Sequence, residues 1–391
     1  MIYEEASEFE IEVCWMDRRT RIAVVGGGLA GLTVAALLQR DGYPVAVYEQ
    51  TPNFSRIGAG IILGANVAKV LRSLDLERRF TETGIRPDAF VSRAWDSGET
   101  LYELVFDAAC EARLGGPFVN IHRADLHRIL QTALAPGTIR FGHRLAGLDE
   151  TPGGIRLAFD NGASVEVDIV IGADGIRSRV RDEILGHEEP RFIGRIAPRA
   201  VFPAERLGGL GIRDCTKWWG PDRHVLVYYM TARRDEVYVM AAIPADRWDG
   251  DGTPIPGTRD DFVSALDGFH PELLRAAEAA TDVSVWPIMD RPRNDRWHEG
   301  RVVLMGDACH AVRPFMAAGG SMAIEDAAIL HRCIVEATDT EAAFRRYAAN
   351  RIPRVAEVQR ISIANTWMHG PTEVDWFFAY DPCSAPLDAD A

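Results

Sequence analysis

The chain has 391 residues, 47% of them hydrophobic, which leaves room for two or three folding units at roughly 150 residues each. Acidic residues outnumber basic ones 57 to 43, and the formal charge of −14 repels nucleic acid and anionic membranes wherever no basic patch overrides it. No Lys/Arg block of that kind occurs, so neither nucleic acid nor a membrane is expected as a partner.

Six cysteines, Cys14, Cys110, Cys215, Cys309, Cys333 and Cys383, stand singly, with no C-x-x-C pair and no Cys/His cluster at zinc spacing. That pattern points to a reducing cytoplasm and to no metal. Residues 1–17 read as an acidic N-terminal extension. Arg18-Arg19-Thr20-Arg21 before the apolar run Ile22 to Leu38 imitates a secretion signal, but Gly26, Gly27, Gly28 and Gly31 interrupt the run. No stretch approaches the ~20 apolar residues needed to span a bilayer.

Ile22 to Val25 reads as a short buried strand, Leu29 to Arg40 as a helix and Val45 to Tyr48 as a second strand, a β-α-β unit. Helical patterns follow over Asn66 to Thr81 and Ala124 to Ala135. A hairpin is expected where Ile155 to Phe159 and Ser164 to Val167 flank Asp160-Asn161-Gly162, with a buried strand over Asp168 to Gly172. From about Phe192 to Trp286 alternating stretches such as His224 to Met230 and Glu236 to Ala242 suit a largely antiparallel sheet with one face covered and one lining a cavity. Arg301 to Met305 resumes the buried-strand pattern, and Gly320 to Ala337 and Glu341 to Ile363 read as helices. The expected division is a discontinuous first domain over 18–88, 115–190 and 287–391, and a β domain over 89–114 and 191–286.

Gly26-x-Gly28-x-x-Gly31 lies between strand and helix, and Glu49 closes the second strand about 20 residues on, the context a dinucleotide fingerprint requires. Glycine lets a pyrophosphate reach the helix N-terminus, where unpaired N–H groups and the dipole favour an anion. Glu49 is placed to accept hydrogen bonds from ribose hydroxyls. At this point the ligand is NAD or FAD.

Two later segments separate these: Asp168-Ile169-Val170-Ile171-Gly172-Ala173-Asp174-Gly175, and Gly306-Asp307-Ala308-Cys309-His310 running on to Pro314 and Gly319-Gly320. In this order and spacing they resemble the motifs of the class A FAD-dependent aromatic hydroxylases, the p-hydroxybenzoate hydroxylase-like family, over essentially the whole chain from Arg21. The resemblance implies an α/β fold, a Rossmann-type FAD domain with an inserted, mostly antiparallel substrate domain and C-terminal helices. It implies that Asp307 binds the ribityl chain and that Asp174 and Gly175 serve the pyrophosphate region and a reduced nicotinamide. Arg123 would contact an FAD phosphate or ribose, Arg56 and Gly60 would line the flavin, Gly319 and Gly320 would bring N–H groups to the flavin edge, and Pro314 would stand with them among the cofactor-binding residues.

Cys215-x-Lys217-Trp218-Trp219, Asp222-Arg223-His224, Val227-Tyr228-Tyr229, Asn365-Thr366-Trp367 and Trp376 to Asp381 resemble the branch of that family acting on 6-hydroxynicotinate, dihydroxybenzoates or pyridinols. By resemblance Cys215, His224 and Tyr228 are the catalytic candidates, the tyrosine orienting or deprotonating a ring hydroxyl. His224 and Tyr228, four apart on a strand, share a face. Read as spacing alone, the three are ordinary sheet and core residues. Trp219 is expected in the substrate pocket with Ile62 and Phe315, which stand where that branch carries histidines; these apolar groups point to a ring without a carboxylate, with room for a hydrophobic chain.

The expectation is therefore hydroxylation of a hydroxypyridine or phenolic ring with NADH or NADPH and O2 through a flavin C4a-hydroperoxide, in a setting such as natural-product biosynthesis. The partners would be a small aromatic substrate and O2, and a homo-oligomer is left open. One alternative is decarboxylative hydroxylation of 6-hydroxynicotinate or a dihydroxybenzoate. Another, of a different class, is a non-catalytic flavin-binding sensor. A plain NAD-dependent dehydrogenase would leave the Asp174-Gly175 and Gly306-Asp307 segments without a task.

Overall fold

In this computed structural model the described residues are 16–388 except 57 and 58. All four side chains of the strand Ile22–Val25 are buried, which requires cover on both faces, and the strand sits inside a six-stranded sheet. In order across that sheet come His298–Glu299, Val302–Leu304, Ile169–Gly172, Ile22–Val25, Val45–Tyr48 and Ile139–Arg140. Every pairing is parallel except the one made by the edge strand His298–Glu299. The helix Leu29–Arg40 packs on this sheet and against the helix Gly319–Glu336, so segments almost 300 residues apart in sequence build one core.

A second sheet of eight strands runs Ile255–Pro256, Ser284–Asp290, Arg191–Pro203, Glu236–Pro244, His224–Tyr229, Cys215–Trp219, Ala89–Ala94 and Thr100–Val105. One face is covered by the helices Arg259–Ser264 and Pro271–Glu278, whose Phe262 and Leu273, with Leu266 between the helices, pack with Trp218, Val225, Val227 and Val239. The other face carries Cys215, Lys217, His224, Leu226 and Met240 toward a cavity. Together these make a Rossmann-type layer with a mostly antiparallel sheet set into it, the pairing of Cys215–Trp219 with Ala89–Ala94 being parallel.

Several expected boundaries move. Asn66 to Thr81 is two helices, Ala65–Ser73 and Glu77–Thr83, because Asp75 takes a left-handed conformation (φ 60°) between the buried Leu74 and Leu76. The next helix is Arg123–Gln131, capped by the His122 ring accepting from the Ala124 N–H at 3.1 Å, and stops short of Ala135. Ser284–Asp290 crosses the division expected at 286/287. Met16 is buried and its N–H donates to the Ala337 carbonyl at 3.0 Å, so packing reaches into the expected extension, whose residues 1–15, Cys14 included, lie outside the described ones. Among the described residues no helix is long and apolar enough to cross a membrane.

Candidate active site

The three fingerprint glycines answer three different needs. Gly26 has φ +104°, and a Cβ there would lie 2.3 Å from the Ala173 carbonyl oxygen. At Gly31 a Cβ would lie 2.0 Å from the Gly26 oxygen, so this glycine lets the helix seat on the turn. At Gly28, the N-cap, a Cβ would meet nothing within 4 Å: the space before the helix is open, and no side chain caps it. An uncapped N-terminus of a 12-residue helix facing open space fits a pyrophosphate. Glu49 is positioned by the Gly27 and Thr51 N–H groups, each donating to one of its carboxylate oxygens at 2.8 Å, and each oxygen keeps capacity for a further donor.

Asp174 is consumed locally. Its carboxylate accepts from Ser178 Oγ (2.5 Å), the Arg179 N–H (2.7 Å) and the Val180 N–H (3.2 Å), and burial raises its pKa against those bonds. It therefore fixes the loop in which Gly175, at φ +82°, leaves open space beside it. Arg56 also differs from the expectation that it lines a flavin: it ion-pairs with Glu236 (2.6 Å) and Asp125 (3.2 Å), clasping the edge of the eight-stranded sheet to the helix Arg123–Gln131. Arg123 is exposed, and among the described residues its guanidinium has no hydrogen-bond or ion-pair partner.

Asp307 opens the short helix Asp307–His310, is exposed, and has no side-chain partner among the described residues. Beyond it Pro314–Met316 forms a 3-10 turn, Ala317 is left-handed (φ 54°), and the helix Gly319–Glu336 begins without a side-chain cap. The turn and helix are held from behind. Asp326 accepts from the Gly306 N–H (2.9 Å), His310 and Arg351 Nε (2.7 Å), while Glu325 binds Arg351, Arg354 and Asn66. Burial would raise Asp326, but the charges of His310 and Arg351 hold it down to about 2. His310 thus serves this buried network.

The eight-stranded sheet supplies the polar part of the cavity. Cys215 pairs with Tyr228, Lys217 with Leu226 and Trp219 with His224, so the alternate residues share one face. The cavity is lined by Cys215, Lys217, His224, Leu226 and Met240 from the sheet, by Ile62, Phe90, Phe106, Phe118, Trp367, Met368 and Phe378, and by Pro314–Ala317. A more open cavity of about 370 Å³, rimmed by Arg86, Asp88 and Glu111, abuts it through Phe106 and Phe118, whose rings stack at 3.9 Å.

His224 is buried, its Nδ1 lies 3.4 Å from the Asn365 amide, and the Phe315 ring stands edge-on to it at 5.1 Å. Burial, then the neighbouring Lys217 charge, pushes its basicity well below the usual histidine value. Burial raises both the Cys215 thiol and the Tyr228 phenol, so these stay protonated. Tyr228 lies outside the cavity lining and against Gly60, where an added Cβ would fall 2.5 Å from its hydroxyl oxygen. Trp219, expected in the pocket wall, lies behind it: its Nε1 donates to Ser92 Oγ at 3.0 Å and its ring carries the Lys217 ammonium at 3.8 Å.

Sequence reasoning passed over Lys217. It is 4% exposed, Nζ donates to the Phe315 carbonyl (3.0 Å) and to Asn365 Oδ1 (3.4 Å), and burial lowers its basicity to about 7. The signal was its place two residues from both Cys215 and Trp219 on a strand, which puts it on their face. Ile62 and Phe315 line the cavity as expected, but a cation shares it with them.

The family described as FAD binding domain matches residues 19–362. A 6-hydroxynicotinate 3-monooxygenase of Bordetella bronchiseptica is 43% identical over 376 residues, covering 95% of this chain and 98% of the relative. A 3-amino-4-hydroxybenzoate 2-monooxygenase of Streptomyces platensis is 38% identical over 88% of this chain and 87% of its own length. Among solved structures, Klebsiella pneumoniae HpxO complexed with FAD and uric acid superposes with a TM-score of 0.79 at 26% identity, covering 90% of this chain and 89% of that one. The open pyrophosphate cradle, the partner-free Asp307 and these similarities converge: the chain belongs to the FAD binding domain family, and within it to the class A FAD-dependent aromatic hydroxylases.

Proposed function

We propose that the protein hydroxylates a hydroxypyridine or phenolic ring, with NADH or NADPH as reductant and O2 as oxygen donor. One observation carries this reading. Cys215, Lys217 and His224 face an otherwise apolar cavity sized by aromatic side chains, and its wall Pro314–Ala317 is the turn that leads into the uncapped helix at Gly319. A flat, partly polar ring suits that cavity, and it would lie beside the segment proposed to hold the flavin.

In this reading Gly26, Gly28 and Gly31 with their helix N-terminus hold the FAD pyrophosphate, Glu49 the adenosine ribose and Arg123 a phosphate or ribose. Asp307 holds the ribityl hydroxyls, and the N–H groups at Gly319 and Gly320 meet the electron-rich edge of the flavin. When bound, FAD supplies electron transfer from the nicotinamide to O2 and the activated oxygen that a ring carbon then attacks. The loop of Asp174 and Gly175 serves the pyrophosphate side and the nicotinamide's approach.

The remaining tasks fall to side chains. His224, neutral across the physiological range, accepts or passes a proton from the substrate's ring hydroxyl and so raises ring electron density. Tyr228, held protonated and outside the cavity lining, would act on the site through the strand at Gly60; its high proton affinity speaks against a tyrosinate base. The aromatic walls exclude water, and Phe106 and Phe118 leave a direction in which an apolar substituent would extend. In this reading the FAD-holding part spans 18–88, 115–190 and 287–391 and the substrate-holding part 89–114 and 191–286.

A second reading, decarboxylative hydroxylation of a hydroxynicotinate or dihydroxybenzoate, draws support from the buried Lys217 cation and from the 43% identical relative. NAD(P)H oxidation measured over a panel of hydroxypyridines, phenols and their carboxylated forms tests both. The expected result is stimulation by at least one ring, with CO2 released only under the second reading. Flavin-bearing protein whose NAD(P)H oxidation no aromatic stimulates would contradict both and favour a sensor.

A further inference from the structure

We infer that Lys217 is the anion-recognition residue of the substrate cavity, so that the substrate reaches it as an oxyanion, either a ring carboxylate or an ionised ring hydroxyl. This rests on the aromatic-substrate reading above and deepens it. The geometry is that of a counter-charge left unfilled. The ammonium is buried and lines the cavity, and two of its three N–H bonds go to neutral acceptors, the Phe315 carbonyl and Asn365 Oδ1. Its third support is the face of Trp219 at 3.8 Å.

No carboxylate lies within ion-pair reach of it among the described residues. The titratable groups around it are Cys215 on its own strand, His224 on the paired strand and His369 edge-on to Trp219 behind it; none supplies a negative charge, since burial holds the Cys215 thiol protonated. On this face the neighbouring strand Ala89–Ala94 offers Ser92 and the Pro314–Ala317 turn offers backbone and apolar side chains, while Arg93 of that strand lies over Trp218 and is ion-paired with Glu272. A methionine would fill this site without the cost of desolvating a charge, so a lysine here makes chemical sense when a charged ligand completes it. Asn365 is the positioning residue: at the end of the helix Thr340–Ala364, with φ 50°, its amide reaches both Lys217 and His224. The anion and the proton-accepting ring nitrogen would therefore address neighbouring atoms of one substrate.

The test uses isosteric probe pairs on the FAD-loaded protein by titration calorimetry: benzoate against benzamide for the carboxylate source, and pentafluorophenol against pentafluorobenzene for the ring oxyanion. The wild-type chain is expected to prefer the anionic member of at least one pair by about tenfold or more, and Lys217→Met to lose that preference while Lys217→Arg keeps part of it. Because the free lysine titrates near 7, binding the anion at pH 8 should take up a proton in the wild-type chain and none in Lys217→Met, a readout that packing alone would not move. Lys217→Gln guards against a misfolded methionine variant. No preference for either anionic probe in the wild-type chain, or the same preference in all variants, overturns the assignment. Loss of aromatic-stimulated NAD(P)H oxidation with the anion preference intact would instead count against the proposed function alone.

Discussion

A methyl group added at Gly60 would bring Cβ within 2.5 Å of the Tyr228 hydroxyl, with a fully buried ring that has no free direction to move. Gly60→Ala should therefore displace Tyr228 or its own strand and lower kcat/KM on the order of 10²-fold, the cost of shifting a positioning group by about 1 Å. Flavin absorbance and steady-state kinetics check it, and unaltered kcat/KM would remove Tyr228 from the reaction. His224→Gln should lower the rate by 10²-fold or more, and the wild-type pH profile should show no acid limb near pH 6.5, since burial holds the imidazole neutral well below that pH. At this scale the glycine turn and the acid after the second strand are legible in the sequence, because both are local. Three side chains are not, because tertiary partners decide their surroundings: Arg56 pairs with Glu236 and Asp125, the Trp219 ring carries the Lys217 ammonium, and Lys217 lacks a carboxylate only because of which strands and turns surround it.

The helices Gly319–Glu336 and Thr340–Ala364 are joined by Glu325, Asp326, Arg351 and Arg354, the first three fully buried. Arg351→Met would leave two buried carboxylates short of a partner and should cost about 3–5 kcal/mol, read as a lower urea midpoint. Both carboxylates titrate below their usual values, so their contribution to stability is fully present above the unfolded pKa near 4 and is lost as pH falls from there toward about 2. An acid-unfolding midpoint that Asp326→Asn leaves unmoved would contradict this. Such a network is invisible in sequence, where Asp326 and Arg351 are merely charges in amphipathic patterns. The break at Asp75 was equally hidden, since Leu74 and Leu76 continue a helical period that only the left-handed backbone interrupts.

For the molecule as a whole, the eight-stranded sheet and the Pro314–Ala317 turn meet around the cavity, and the proposed FAD cradle draws on residues far apart in the chain, from Gly26 to Gly320. Alternation and buried-strand runs made both sheets readable, whereas the order of their strands was not, because it depends on pairings between remote segments such as Cys215–Trp219 with Ala89–Ala94. FAD bound at 100 times its Kd should add about 2.7 kcal/mol to stability, so the thermal midpoint should rise with added FAD and fall on its removal. The central claim, oxygen insertion into an aromatic ring, is tested most directly by mass spectrometry of products formed under ¹⁸O2 with NAD(P)H and the panel of hydroxypyridines and phenols. One ¹⁸O atom in a new ring hydroxyl is the result expected; NAD(P)H consumption that yields only hydrogen peroxide with every ring would contradict it.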